Sequence, residues 1–162
     1  MAKPKEIKTN AMRILDKLKI NYQHQSYVCT EFVDGRQTAD LLNLPYKQVY
    51  KTLVTAGKSK NYFVFVIPID KELDMKKAAK SVGEKSIAMI HLKDLTAITG
   101  YVRGGCTAIG MKKQFKTVID ETAKNFDTIY ISGGKVGLQL ELSPDDFCRA
   151  APAVYDDVMI NN

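Results

Sequence analysis

Two β-branched and aromatic runs, residues 49–55 and 62–69, restrict the fold of this chain most. Only the polar stretch Gly57-Lys58-Ser59-Lys60-Asn61 separates them clearly. Runs of that composition joined by a short Gly/Ser/Asn turn read as a β-hairpin, so an antiparallel pair belongs at the centre of the fold. Residues 63–67 form the longest apolar run, and Pro68 closes it. That run is far short of the ~18 apolar residues a membrane span requires, so no membrane partner is expected.

Other elements fall around the hairpin. Strands are expected at residues 22–28, 86–91, 117–119, 128–132 and 138–142. Residues 9–19 read as a helix capped by Thr9, with Ala11, Met12, Ile14, Leu15 and Leu18 on one face. Further helices are expected at residues 37–42, just after Pro45, and at 92–98. Another is capped by Asp74 and runs to Val82, burying Leu73, Ala78, Ala79 and Val82. Ser143 with Pro144, Asp145 and Asp146 starts a last helix, running to about Ala151, since proline suits the first helical position and acids suit the positive end of the dipole. Strands outnumber helices and several are joined by short turns. The expected class is α/β: a mixed, mostly antiparallel sheet, curved or partly closed, flanked by helices. The chain, 162 residues long, fits one domain spanning residues 1–162. A doubly wound dinucleotide fold is disfavoured, because no GxGxxG joins a strand to a helix.

Charge is unevenly placed. Residues 1–120 carry 21 basic and 11 acidic residues, whereas residues 121–162 carry 3 and 7. A basic stretch of this kind attracts a polyanion, although a lysine-rich solvated surface gives the same count. Cys29, Cys106 and Cys148 form neither a disulfide framework nor a paired zinc-ligand motif. His24 and His91 have no metal-ligand spacing, so no metal site is expected. The N-terminus shows no signal-peptide apolar region, and reduced thiols suit a cytoplasmic location.

Three segments can carry chemistry. The loop at residues 100–110 contains Gly100, Gly104, Gly105 and Gly110, and such glycines let a backbone approach a ligand. Arg103, Lys112 and Lys113 flank it; an ordinary glycine corner remains the competing reading. A second glycine turn, at 133–137, follows Ser132. Lys51 lies on an alternating strand between Val49 and Leu53, an apolar face where an ammonium needs an anionic partner. A snorkelling edge lysine is its competing reading. Cys106 with a distant histidine would make a nucleophilic pair, but no cysteine-hydrolase signature surrounds it.

In these segments the chain resembles the YbaK family of aminoacyl-tRNA deacylases, relatives of the editing domain of bacterial prolyl-tRNA synthetases. The resemblance runs through Gln48-Val49-Tyr50-Lys51-Thr52-Leu53-Val54, Gly100-Tyr101-Val102-Arg103-Gly104-Gly105 and Ile131-Ser132-Gly133-Gly134-Lys135-Val136-Gly137-Leu138. It implies a partly barrel-like sheet, no cofactor, and removal of cysteine from mischarged tRNA(Pro), and from tRNA(Cys). The implied partners are aminoacyl-tRNA and prolyl-tRNA synthetase. Cysteine and proline are close in size, so one pocket separates them poorly and a second sieve is needed. The implied mechanism uses the substrate's own thiol to attack its ester. Lys51 matches the family lysine that meets the aminoacyl end or the terminal phosphate. Gly104 and Gly105 match the loop that holds the carbonyl, and these three are the implied catalytic groups. Tyr27, Phe32, Thr52, Cys106, Thr107, Ser132, Gly134 and Gln139 are the implied substrate contacts. Two departures stand out: Ala108 replaces a proline that would fix the loop, and Gln139 replaces an acid that pairs with the substrate ammonium. A non-catalytic tRNA- or synthetase-binding module is the alternative these departures allow, and a small-molecule binder is a third.

Overall fold

A computed structural model describes residues 8–27 and 35–161. The helices are α1 (Asn10–Lys17), α2 (Gly35–Leu42), α3 (Met75–Ser81), α4 (Leu95–Thr99) and α5 (Pro144–Ala150). The strands are β1 (Gln23–Ser26), β2 (Tyr50–Gly57), β3 (Tyr62–Pro68), β4 (Ile87–Met89), β5 (Lys116–Asp120), β6 (Ile129–Ser132), β7 (Leu138–Leu142) and β8 (Ala153–Asp156). Each expected cap forms. Thr9 Oγ1 accepts from Met12 N, Asp74 accepts from Lys76 N and Lys77 N, and Ser143 accepts from Asp146 N.

The strands form two sheets, ordered β1-β7-β6 and β4-β2-β3-β5-β8. β3–β5 and β5–β8 are parallel; the other four ladders are antiparallel. The expected mixed, mostly antiparallel strands with helices are found, divided between two sheets rather than forming one. Among the described residues a single main-chain bridge, between Val49 and Tyr130, links the two sheets. Within β3 the side chains alternate as the pleat requires. Val64 and Val66 join the larger core with Ile119, Ile129, Leu140 and Phe147. Phe63, Phe65 and Ile67 join a second core with Val118, Ala78, Ala79 and Val82. A strand buried on both faces reads as the continuous apolar run seen here.

Some elements differ from expectation. β8 was absent from the sequence reading; it pairs in parallel with β5, and its alternating half-exposed pattern over four residues carries little local signal. The segment after Pro45 forms a 3-10 turn, Tyr46–Gln48, and Glu121–Asn125 forms another capped by Asp120. β1 is shorter than residues 22–28, and its four residues are all exposed.

Candidate active site

The cavity arises where β2 loses its neighbours. On one side β2 pairs with β3 along its length, from Tyr50 to Ala56. On the other, β4 pairs only with Thr55, Ala56 and Gly57. The backbone of Ile90 makes one further bond, to Val54 O at 3.2 Å, and the chain then turns away into Leu92–Asp94. At the opposite end of β2, Val49 meets β6 through the bridge to Tyr130. Between these points the two sheets diverge, and a hollow of about 520 Å³ opens. Ligand pockets typically run from ~300 to ~1,000 Å³. Because the hollow wraps round a strand edge, residues 49–54 all line it, from both faces of β2.

The cavity gathers Tyr27, Lys51, Thr52, Gly104, Cys106, Ser132 and Gln139 from five separate parts of the chain. Lys51 sits opposite Ile67 in the hairpin and is half-buried. Tyr27 is held by its N–H on Gly137 O at 2.9 Å, and its hydroxyl accepts from Thr38 Oγ1 at 3.4 Å. Ser132 and Gln139 are cross-strand partners on β6 and β7. The Ser132 Oγ is buried and has no hydrogen-bond partner among the described residues. Buried polar atoms are rarely left that way, so a hydroxyl lining a hollow marks a ligand position.

Three expected residues lie behind the wall instead. Gly105 is buried, and its N–H donates to Val102 O at 3.0 Å, which removes it as a donor to a ligand. A Cβ at Gly105 would stand 2.8 Å from the Lys135 backbone, so the glycine is needed for the two loops to touch. Thr107 is fully buried, and its hydroxyl accepts from Ile109 N at 3.5 Å. Gly134 packs against Thr9 and Tyr101 at φ +101°. Phe32 lies outside the described residues.

The loop is held without the proline. Tyr101 OH donates to Ile109 O at 2.6 Å, Asn10 Nδ2 donates to Gly110 O at 2.8 Å, and Tyr101 N donates to Thr99 Oγ1 at 3.0 Å. Ala108 is buried in the larger core. Side-chain hydrogen bonds and packing thus replace the missing ring constraint. Burial pushes the Cys106 thiol up to about 11, against a smaller opposing hydrogen bond with Thr99. A thiol that stays protonated at neutral pH is a poor nucleophile.

Several lining residues were not chosen from sequence: Thr38, Ile69, Met89, Ile90, Leu92 and Leu95. All but Thr38 are apolar residues whose spacing resembles any core face, so no local signal separates them. Arg103 was seen only as a flank of the glycine loop, and it lines the cavity as well.

Residues 33–150 match the family described as the aminoacyl-tRNA editing domain. A protein of Enterococcus faecalis is 46% identical over 147 residues, covering 90% of each sequence. The chain belongs to the aminoacyl-tRNA editing domain family. That relative, EbsC, carries the provisional name of a Cys-tRNA(Pro)/Cys-tRNA(Cys) deacylase. A proline–tRNA ligase of Fervidobacterium nodosum is 26% identical over 99 residues, which is 61% of this chain and 17% of the ligase. A crystal structure described provisionally as a trans-editing enzyme for prolyl tRNA synthetase superposes with TM-score 0.79 at 18% identity, covering 96% of this chain and 100% of that one. A hypothetical protein superposes with TM-score 0.83 at 21% identity, covering 93% and 99%. At those identities the likeness establishes the editing-domain fold. No described helix is long and apolar enough to cross a membrane.

Proposed function

We propose that this editing-domain protein is a deacylase that clears cysteine from tRNA(Pro), and from tRNA(Cys), acting as a single domain in the cytoplasm. One observation carries the reading: the divergence beside β2 joins Lys51, Gly104 and the Ser132 hydroxyl, which has no partner among the described residues, in one hollow of suitable size for an aminoacyl end. The 46% identity to a protein of that provisional name supports the substrate. The ligase similarity supports prolyl-tRNA synthetase as a working partner.

The chemistry fits a site without its own nucleophile. The substrate thiol gives up its proton, and its sulfur forms a bond to the ester carbonyl carbon. The bond from that carbon to the ribose oxygen breaks, and the oxygen takes a proton as tRNA leaves. The other product is a cyclic thiolactone, which water opens to cysteine. The protein supplies proximity, which is worth many powers of ten when the reacting atoms are held in line. The Lys51 ammonium favours the thiolate and balances the developing oxyanion. Cys106, kept protonated by burial, forms wall rather than nucleophile.

Phosphate contacts are supported by charge placement. Residues 100–115 hold Arg103, Lys112 and Lys113 and no acid, and Lys135 sits on the adjoining glycine turn. All four are exposed, and Arg103 lines the cavity. Deacylation of Cys-tRNA(Pro) by the purified protein tests the reading, with Ala-, Ser- and Pro-charged tRNA as comparison. Rapid release from the cysteinyl species alone is expected. No turnover of any of them would leave the non-catalytic binding module as the better account.

A further inference from the structure

Hydrogen bonding in the hairpin fixes where each main-chain group of β2 points. Val49 O accepts from Ile69 N at 2.9 Å, and Gly57 N donates to Asn61 O at 2.8 Å. Odd-numbered residues of β2 therefore bond to β3, and even-numbered residues turn their N–H and C=O to the other edge. Val54 obeys this rule, accepting from Ile90 N on the β4 side. Thr52 is the next even-numbered residue. The β4 ladder stops at Thr55, and β6 bridges only at Val49. Among the described residues the Thr52 N–H and C=O thus fall outside every strand ladder, on the edge that faces the cavity Thr52 lines.

In a hydrogen-bonded antiparallel pair, a residue exchanges two bonds with its partner, using a donor and an acceptor flanking one Cα. An aminoacyl ester offers the same arrangement: an ammonium donor and an ester carbonyl acceptor on one Cα. We propose that the aminoacyl group docks on the Thr52 main chain as a one-residue extension of the sheet. Its ammonium donates to Thr52 O, and its ester carbonyl accepts from Thr52 N–H. The proposal rests on the deacylase reading above and adds two roles to it. Thr52 N–H becomes the oxyanion donor that Gly105, bonded to Val102, does not supply. Thr52 O reads the substrate amine beside the neutral Gln139, and an ionised donor roughly doubles the strength of such a bond.

The test uses both partners of the pair. Thr52→Pro removes only the cavity-facing N–H, since odd-numbered residues make the β3 ladder, and proline is tolerated where its nitrogen faces away from a partner strand. Loss of one oxyanion donor is expected to lower kcat about 100-fold. If that variant fails to fold, the substrate side decides. 3-Mercaptopropionyl-tRNA(Pro) keeps the thiol and the ester but lacks the amine. Normalised to uncatalysed hydrolysis, it should be cleaved about 10- to 100-fold more slowly than Cys-tRNA(Pro). Equal normalised rates, with normal turnover of Cys-tRNA(Pro), would overturn the docking while leaving the deacylase reading intact. If the wild-type protein cleaves neither ester, the deacylase reading fails. Titration with the amide analogue 3′-cysteinylamino-3′-deoxyadenosine then decides the docking by NMR. A large shift of the Thr52 amide resonance sustains it, and an unmoved resonance overturns it.

Discussion

β2 and β3 are the two strands of one hairpin, similar in composition, yet they do different work. β3 has neighbours on both edges, β2 and β5, and packing on both faces. Its Val64, Phe65, Val66 and Ile67 have no exposed surface. β2 has a continuous partner on one edge only, and its middle borders the cavity. A fully paired strand has no main-chain group left for a ligand and contributes most through burial. A strand whose neighbours diverge leaves main-chain groups and a charged side chain at a cavity wall, at the cost of some packing. The strand that borders the cavity and the strand buried on both faces are thus joined by only four residues, 58–61.

Substitutions should separate the two strands. Phe65→Ala on β3 leaves a large void and is expected to lower stability by about 3–5 kcal/mol. Denaturant unfolding reads that loss, and kcat measured where the variant is still folded should be nearly unchanged. A variant that loses activity without losing stability would erase the contrast. Lys51→Ala on β2 should do the reverse. A fall of about 100-fold in kcat/KM, roughly 2.7 kcal/mol in the transition state, should come with an unaltered unfolding midpoint. Near-normal turnover would remove the role given to the lysine.

Gly105→Ala sharpens the boundary between the site and its support. The added methyl would press on the Lys135 backbone at 2.8 Å. A loss of about 1–3 kcal/mol is expected, with a smaller fall in activity than Lys51→Ala produces. Cys106→Ala should have the least effect, with activity within about threefold at pH 7, because the protonated thiol does no chemistry. Its signature lies at high pH. The folded thiol titrates near 11 against 9.0 for the free group, so its contribution is present below pH 9 and is lost as pH rises through 11. The wild-type protein should therefore lose more stability than Cys106→Ala between pH 9 and 11, by about 2 kcal/mol. Parallel curves would refute that assignment.

The charge contrast follows the same division. The lysines of α3 lie among acids, and Lys77 pairs with Asp157 at 3.0 Å and Asp74 caps the helix. The glycine loops beside β2 carry cations without acids. Deacylation should fall steeply with salt, and the triple variant K112Q/K113Q/K135Q should flatten the log–log slope by about two to three units. The matched variant K76Q/K80Q/K85Q should leave it unchanged, and an equal effect of both would place the phosphates elsewhere.

Much of this was legible in the chain itself. The hairpin, the caps at Thr9, Asp74 and Ser143, and both glycine turns follow from composition and spacing. Lys51 stood out because an ammonium on an apolar strand face is costly. β8 was not legible, since its four residues gain their meaning only beside β5. The family resemblance made Gly105 and Thr107 ligand contacts, and their burial was not legible, since a glycine loop reads the same whether its backbone faces a ligand or another loop.

The sequence determined which segments become strands, where they turn and which residues are chemically unusual, because those depend on near neighbours along the chain. The tertiary structure alone decided that β4 and β6 part company beside Thr52, that Ser132 and Gln139 line the same hollow as Lys51, and that Gly105 is buried against the neighbouring loop. Strand pairing is a contact between distant segments. Where it ends depends on how whole sheets twist and diverge, which no local pattern records.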